Sequence, residues 1–212
     1  SSSRVPFFNE KAVCELGKNL DKSKKLHRSG TEYALKVLKR FSEILNVSKI
    51  TNLKIIATAV LREATDTKPF IDEVEKLFKT KINILSGDEE AECSAEGVKI
   101  GFENVDGLVA DLGGGSLELA RVENNIVTNK TSLPFGVLRL LNNPIVKKRN
   151  LAKYIKKLLR EEKWLSKKRF NNLYLVGGTW RSLFKLHLFQ NNHPVHIIHQ
   201  YSIDNNVLSK FV

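Results

Sequence analysis

The stretch from Leu108 to Leu119, LVADLGGGSLEL, restricts the fold of this chain more than any other segment. An apolar run ends in Asp111, three glycines and Ser116 follow, and the chain then alternates as Leu117, Glu118, Leu119, Ala120, Arg121, Val122. A period of two after the glycines predicts a second strand, so they sit in a hairpin. A P-loop would need GK[ST] here, and a dinucleotide fingerprint would need a helix. Glycines permit positive φ and leave N–H groups bare, which makes an anion-binding nest suited to phosphate. The same letters also fit a plain tight turn between two strands.

Three further segments bear on the choice. Residues 82–98, INILSGDEEAECSAEGV, read as a short strand, a Ser-Gly break, and a helix opened by Asp88, Glu89, Glu90 and Glu92. Helix-dipole and capping effects account for Asp88 and Glu89. They account less well for four carboxylates beside an anion turn, where mutual repulsion raises one pKa toward the range of a general base or a metal-bound water. Residues 55–66, IIATAVLREATD, lead a strand into a helix carrying Arg62 between small neighbours. Such an arginine is either solvated or placed to grip phosphate oxygens with its guanidinium fork. Residues 173–183, LYLVGGTWRSL, give a strand, the turn Gly177-Gly178-Thr179 and a helix start, the pattern of an anion or nucleotide site at a helix N-terminus.

Taken in order, ATAVLREATD, ILSGDEEAECSAEGV, DLGGGSLEL, SLPFGVLRL and LYLVGGTWRSL resemble the exopolyphosphatase and guanosine pentaphosphate phosphatase family, a branch of the actin, sugar kinase and heat-shock ATPase superfamily. The opening FFNEKAVCELGKNL is similar to the segment after that family's first hairpin. The resemblance implies an α/β, actin-like ATPase (ribonuclease H-like) fold of two lobes with mixed sheets. It also implies magnesium-dependent release of terminal phosphate from inorganic polyphosphate, or of the γ-phosphate from guanosine pentaphosphate. On that pattern Glu90 orients the attacking water as base and Arg62 binds phosphate. Asp111 holds Mg2+ through water, with Glu118 behind it in the same metal site. The amides of Gly113, Gly114 and Gly115, with Ser116, cradle phosphates, and Gly177, Gly178 and Thr179 form the second anion turn. Positioning and charge neutralisation dominate phosphoryl transfer, so such a set is chemically sufficient.

Family members begin with a D-x-G-S-N-S turn, whereas this sequence opens SSSRVPFF and contains no methionine. The expectation is a chain truncated at its N-terminus, lacking the first phosphate loop. Its end, LSKFV, is expected to lie within a helix where relatives continue.

With 212 residues and 42% hydrophobic content the chain can bury a core. Turn residues in GFENVDG suggest a first lobe at 1–107 and a second at 108–212. Tyr33, Val37, Leu38, Phe41 and Leu45 recur at helical spacing and are expected to form a core stripe. Cys14 and Cys93 make neither a metal motif nor a disulfide framework, which suggests a reducing, cytoplasmic setting. His193, His196 and His199 cluster, but VHIIH reads as a strand whose residues three apart face opposite sides, so structural or surface histidines are expected. No run reaches the roughly 20 apolar residues of a membrane span, and no signal-peptide core opens the chain.

Lys and Arg number 35 against 23 acids, a net charge of +12, in runs such as DKSKK, VKKR and SKKR. That balance suits a polyanionic partner or a well-solvated surface. A nucleic-acid module competes, yet no zinc finger, RNP signature, KH loop or basic heptad is present, so no specific nucleic-acid partner and no membrane partner is expected. A kinase-like ATPase of the same superfamily would share the glycine turns, and GDEEA argues against it. The expected partner is polyphosphate or guanosine pentaphosphate, with a homodimer as an open possibility.

Overall fold

The computed structural model describes residues 8–142, 150–166 and 169–211. The opening SSSRVPF, the VKKR run at 146–149, Lys167 and Lys168 of SKKR, and Val212 lie outside the described residues. The chain divides into two compact units, Ser1–Leu85 and Ser86–Val212. This division falls one helix earlier than the turn at 107, because the helix that begins at Gly87 buries its small residues against the strands that follow it.

In the first unit, α1 (Leu20–Ser23), α2 (Arg28–Val47), β1 (Ile55–Ala57), α3 (Ala59–Glu63), α4 (Lys68–Phe78) and β2 (Ile82–Ile84) follow in order. Strands β1 and β2 pair in parallel, Ile55 opposite Ile82 and Ala57 opposite Ile84. The sheet described in this unit is parallel and two-stranded. Ala34, Leu61, Phe70 and Val74 are buried together at its core. Helix α2 turns Gly30, Ala34 and Val37 inward, while Tyr33 is 49% exposed. The reason is the segment before it: a Cβ on Gly30 would stand 2.5 Å from the Cys14 carbonyl oxygen, so the chain crosses α2 at its smallest residue and fixes which face is covered.

The second unit runs α5 (Gly87–Gly101), β3 (Gly107–Leu112), β4 (Leu117–Glu123), β5 (Ile126–Leu133), α6 (Val137–Asn142), α7 (Leu151–Glu161), α8 (Lys163–Ser166), β6 (Leu173–Val176), α9 (Gly178–Gln190) and α10 (Asn205–Phe211). Its sheet is mixed, in the order β5-β4-β3-β6, with β3–β4 and β4–β5 antiparallel and β3–β6 parallel. Asn124 and Asn125 both take positive φ, 49° and 63°, which suits the tight turn between β4 and β5. Alternation along the strands sends Val109, Ala120 and Val122 to one face, where Ala91 and Ala95 of α5 pack closely. Ala110, Leu112, Leu117 and Leu119 face the other side, covered by Ile155, Leu158 and Leu159 of α7 and by Trp164 of α8. The VHIIH segment is not the expected strand but an irregular loop. Pro194 cannot donate to a ladder, and the His193 ring instead accepts from the Val195 amide at 3.2 Å and lies 2.7 Å from its carbonyl.

Candidate active site

Five elements of the second unit converge at the C-terminal end of β3. Asp111 is the penultimate residue of that strand, opposite Glu118 on β4 and Val176 on β6. Between Leu112 and Leu117 the glycine turn closes with the Gly113 N–H donating to the Ser116 carbonyl at 3.0 Å. That bond engages the Gly113 amide, one of the groups expected to hold phosphate. The next two peptides are held differently. The Gly113 and Gly114 carbonyls accept from the Val137 and Leu138 amides at the start of α6, at 3.2 and 2.9 Å. Because a trans peptide points its N–H opposite its C=O, the amides of Gly114 and Gly115 are turned away from α6, and they donate to no acceptor among the described residues.

Left-handed backbone does not account for these glycines. None of the three is among the positive-φ glycines, which are Gly107 and Gly177. A Cβ on Gly136 would lie 2.5 Å from the Gly114 carbonyl carbon and oxygen and 2.6 Å from that of Gly115, so the turn before α6 stacks directly on the glycine backbone. The SLPFGVLRL segment is thereby the floor of the loop.

Asp111 is held from two sides. Its Oδ2 accepts from Ser94 of α5 at 2.7 Å. Its Oδ1 faces Gly177, where φ is 108° and a Cβ would come within 2.8 Å. Thr179, in the first turn of α9, donates to the Leu112 carbonyl at 3.4 Å. The N-terminus of α9 therefore abuts the end of β3, and its positive dipole end adds to the field there.

The acidic run resolves into separate tasks. Ser86 and Glu89 form a capping box: the Ser86 hydroxyl accepts from the Glu89 amide at 3.2 Å, and the Glu89 carboxylate accepts from the Ser86 amide at 2.7 Å. The backbone hydrogen bond from Ser86, and then the Ser86 side chain, hold the Glu89 carboxyl below its ordinary range. Glu92 pairs with Lys130 on β5. Glu90 is left near Glu118, which is buried. Burial pushes the Glu118 carboxyl above its ordinary value against the hydrogen bonds of Ser116 and Ser132, and the charges of Glu90 and Asp111 push the same way. The charges of Glu90 and Asp111 thus both bear on Glu118, which stands opposite Asp111 at the end of β3.

Arg62 belongs to the first unit. It is partly buried there, and its guanidinium donates to the Leu85 carbonyl just past β2. Ser94, Ser132 and Gly136 escaped the sequence reading; the S-x-x-E spacing of Ser86 and Glu89 was a usable sign of the cap, and nothing local marked the other three.

The carboxylate and hydroxyl oxygens of Asp111, Glu118 and Ser94 fit a hard divalent cation such as magnesium, which takes one or two carboxylates and keeps waters and phosphate oxygens for the rest. No cluster of three or more His, Cys, Asp or Glu forms a closed metal cage among the described residues.

Comparison with known proteins bears on the family and the fold. The model of the Ppx/GppA phosphatase family matches residues 4–212. A bifunctional 3-dehydroquinate synthase/phosphatase of Fusobacterium nucleatum is 32% identical over 81% of this chain and 28% of its own length. A guanosine-5'-triphosphate,3'-diphosphate pyrophosphatase of Aeromonas hydrophila is 35% identical over 63% of this chain and 27% of its own. The chain thus spans under a third of these two relatives. Among solved structures, an exopolyphosphatase from Cytophaga hutchinsonii superposes with a TM-score of 0.78 at 24% identity, over 89% of this chain and 64% of that one. A Ppx/GppA protein from Aquifex aeolicus gives 0.70 at 20%, over 94% and 67%. The α/β fold expected from the sequence is the fold of these structures, and the chain belongs to the Ppx/GppA phosphatase family.

Proposed function

We propose that this chain carries the catalytic centre of a phosphoanhydride hydrolase that releases terminal phosphate from inorganic polyphosphate or guanosine pentaphosphate. The observation that carries the reading is the meeting of Glu90, Asp111 and Glu118 beside the outward amides of Gly114 and Gly115. Those amides, with the N-terminus of α9 at Gly178 and Thr179, bind the oxygens of the phosphate under attack. Glu90 orients the attacking water and takes its proton. Glu118, which accepts from Ser132, stands opposite Asp111 on the neighbouring strand. Asp111 would hold a magnesium ion, whose charge would offset that of the phosphate oxygens. Arg62 has its phosphate-binding role from the family pattern.

Phosphate release tests this directly. The longest polypeptide its gene encodes is expected to liberate inorganic phosphate from polyphosphate with Mg2+, to stop with EDTA, and to require no ATP. Release that depends on ATP would favour the kinase-like reading. An intact fold that liberates no phosphate with Mg2+ or Mn2+ would overturn hydrolysis altogether.

A further inference from the structure

The positive charge of this chain is concentrated. Residues 147–169 contain eleven Lys and Arg against two Glu, a net +9 of the whole chain's +12. The described part of that segment is α7 and α8, and its pattern is sharply divided. Ile155, Leu158 and Leu159 lie against the sheet, while Lys153, Lys156, Lys157, Arg160 and Lys163 are exposed. Both acids are engaged locally. Glu161 faces Lys157 at 3.9 Å, and Glu162 accepts from Thr131 and from the Trp164 indole, each at 3.1 Å. Among the described residues no carboxylate pairs with Lys153, Lys156, Arg160 or Lys163.

This arrangement disfavours the isolated helix. Lys153 and Lys157, and Lys156 and Arg160, are like-charged neighbours one turn apart, and such pairs cost helix stability. A bound polyanion would reverse the sign of that interaction. The identity of the polyanion follows from what else the surface lacks. The apolar side of α7 is already covered by its own sheet, so it has nothing to insert into a lipid surface. Tyr154 and Trp164 are half-buried, and the Trp164 N–H is engaged, so neither offers an open face for stacking a base. What remains is a row of cations for bare phosphate.

We infer that the exposed face of α7 and α8 is an outlying track that grips the distal part of a long inorganic polyphosphate chain, making polyphosphate a better ligand than a guanosine nucleotide. This rests on the hydrolase reading for its biological sense, but it is a statement about binding. A nucleotide offers few phosphates to spread over this row of cations, whereas a chain of many phosphates can lie along all of it and gains with each further contact.

The test measures binding in EDTA, apart from turnover. The triple variant Lys153→Glu, Lys156→Glu, Arg160→Glu is compared with a control of equal charge change, Lys22→Glu, Lys36→Glu, Lys39→Glu, all exposed positions of the first unit. Affinity for long-chain polyphosphate is expected to fall at least about tenfold in the track variant, with a salt slope shallower by roughly two to three, about one for each phosphate no longer neutralised. Tripolyphosphate binding should change less than about twofold, because three phosphates meet too few of these cations at once. Should the reversals unfold α7, Gln at the same positions gives the milder form, with the same order of effects. Equal loss in the control would reduce the effect to net charge and overturn the track. Tighter binding of a single-stranded RNA than of polyphosphate would reassign the surface to nucleic acid. A track-specific loss in a protein that hydrolyses nothing would sink the hydrolase reading alone.

Discussion

The Ser132 hydroxyl donates to the buried Glu118 carboxylate at 2.8 Å. The same side chain lies so close to the start of α5 that a Cβ on Gly87 would meet its Cβ at 2.3 Å. One small residue on β5 thus sets both the charge environment of Glu118 and the approach of the helix that carries Glu90. Any larger residue at 87 would lift α5 off the sheet and separate the two glutamates.

Stability should depend on pH through Glu118. Its folded carboxyl is raised by burial, so the folded chain keeps the proton to higher pH than the unfolded chain does. The stability this contributes is complete below the unfolded value of about 4.3 and is lost as pH rises through the folded value. Glu118→Gln removes the titration. In metal-free buffer the Tm of the wild type should decline relative to the variant as pH rises above the unfolded value of about 4.3. Parallel curves would show that Glu118 ionises without penalty.

Gly136 and Gly97 should respond to alanine with opposite signs. At 136 the new Cβ meets fixed backbone, so Gly136→Ala should cost about 1–3 kcal/mol and displace the amide loop. Gly97 lies inside α5 with nothing within 4 Å of a new Cβ, so Gly97→Ala should stabilise by about 0.5–1 kcal/mol. Chemical denaturation of both variants decides the matter. Stabilisation at 136 would mean that the turn before α6 does not stack on the glycines.

The capping box separates stability from catalysis on a single helix turn. Ser86→Ala should lower stability by about 1 kcal/mol, through loss of the cap. Glu90→Gln should leave the chain folded and reduce phosphate release at least about a hundredfold, with polyphosphate affinity retained, as expected of a residue that acts on the attacking water. Activity near wild type in Glu90→Gln would move the base elsewhere.

Gly177→Ala should be costly for two independent reasons, its φ of 108° and the 2.8 Å approach to Asp111 Oδ1. The expected signature is a lower Tm together with a higher Mg2+ requirement for turnover, because Asp111 is pushed off its position. A changed Tm with an unaltered Mg2+ requirement would separate Gly177 from the metal site.

Much of this was readable from local pattern. Period-two alternation from Leu117 to Val122 announced a strand after the glycines, and GGT before an apolar helix announced the start of α9. Where the outcome depended on residues distant in sequence, local pattern failed. Tyr33 has the right spacing for a core stripe, but Cys14 and Glu15 cross α2 at Gly30 and turn it outward. VHIIH has strand propensity, yet no strand pairs with it among the described residues, and Pro194 withholds a donor. The glycine turn was expected to use positive φ, and none of Gly113, Gly114 and Gly115 does; the residue that must lack a Cβ against this backbone is Gly136, beyond two further strands. Four acids within five residues looked like one cluster, and the turn of α5 sent Glu89 to a cap, Glu92 to an ion pair and Glu90 to the site.

The parallel pairing of β3 with β6 has a kinetic consequence. Strands β3, β4 and β5 are joined by short turns and close with little loss of chain entropy, whereas β6 reaches β3 only after the intervening helices have returned the chain to the sheet. The amide loop therefore forms early, and the Gly177 turn that confines Asp111 arrives late. Until it docks, β3 presents an open edge carrying the centre of the site, and a chain stalled at that stage is poised to pair with a neighbour instead of with itself.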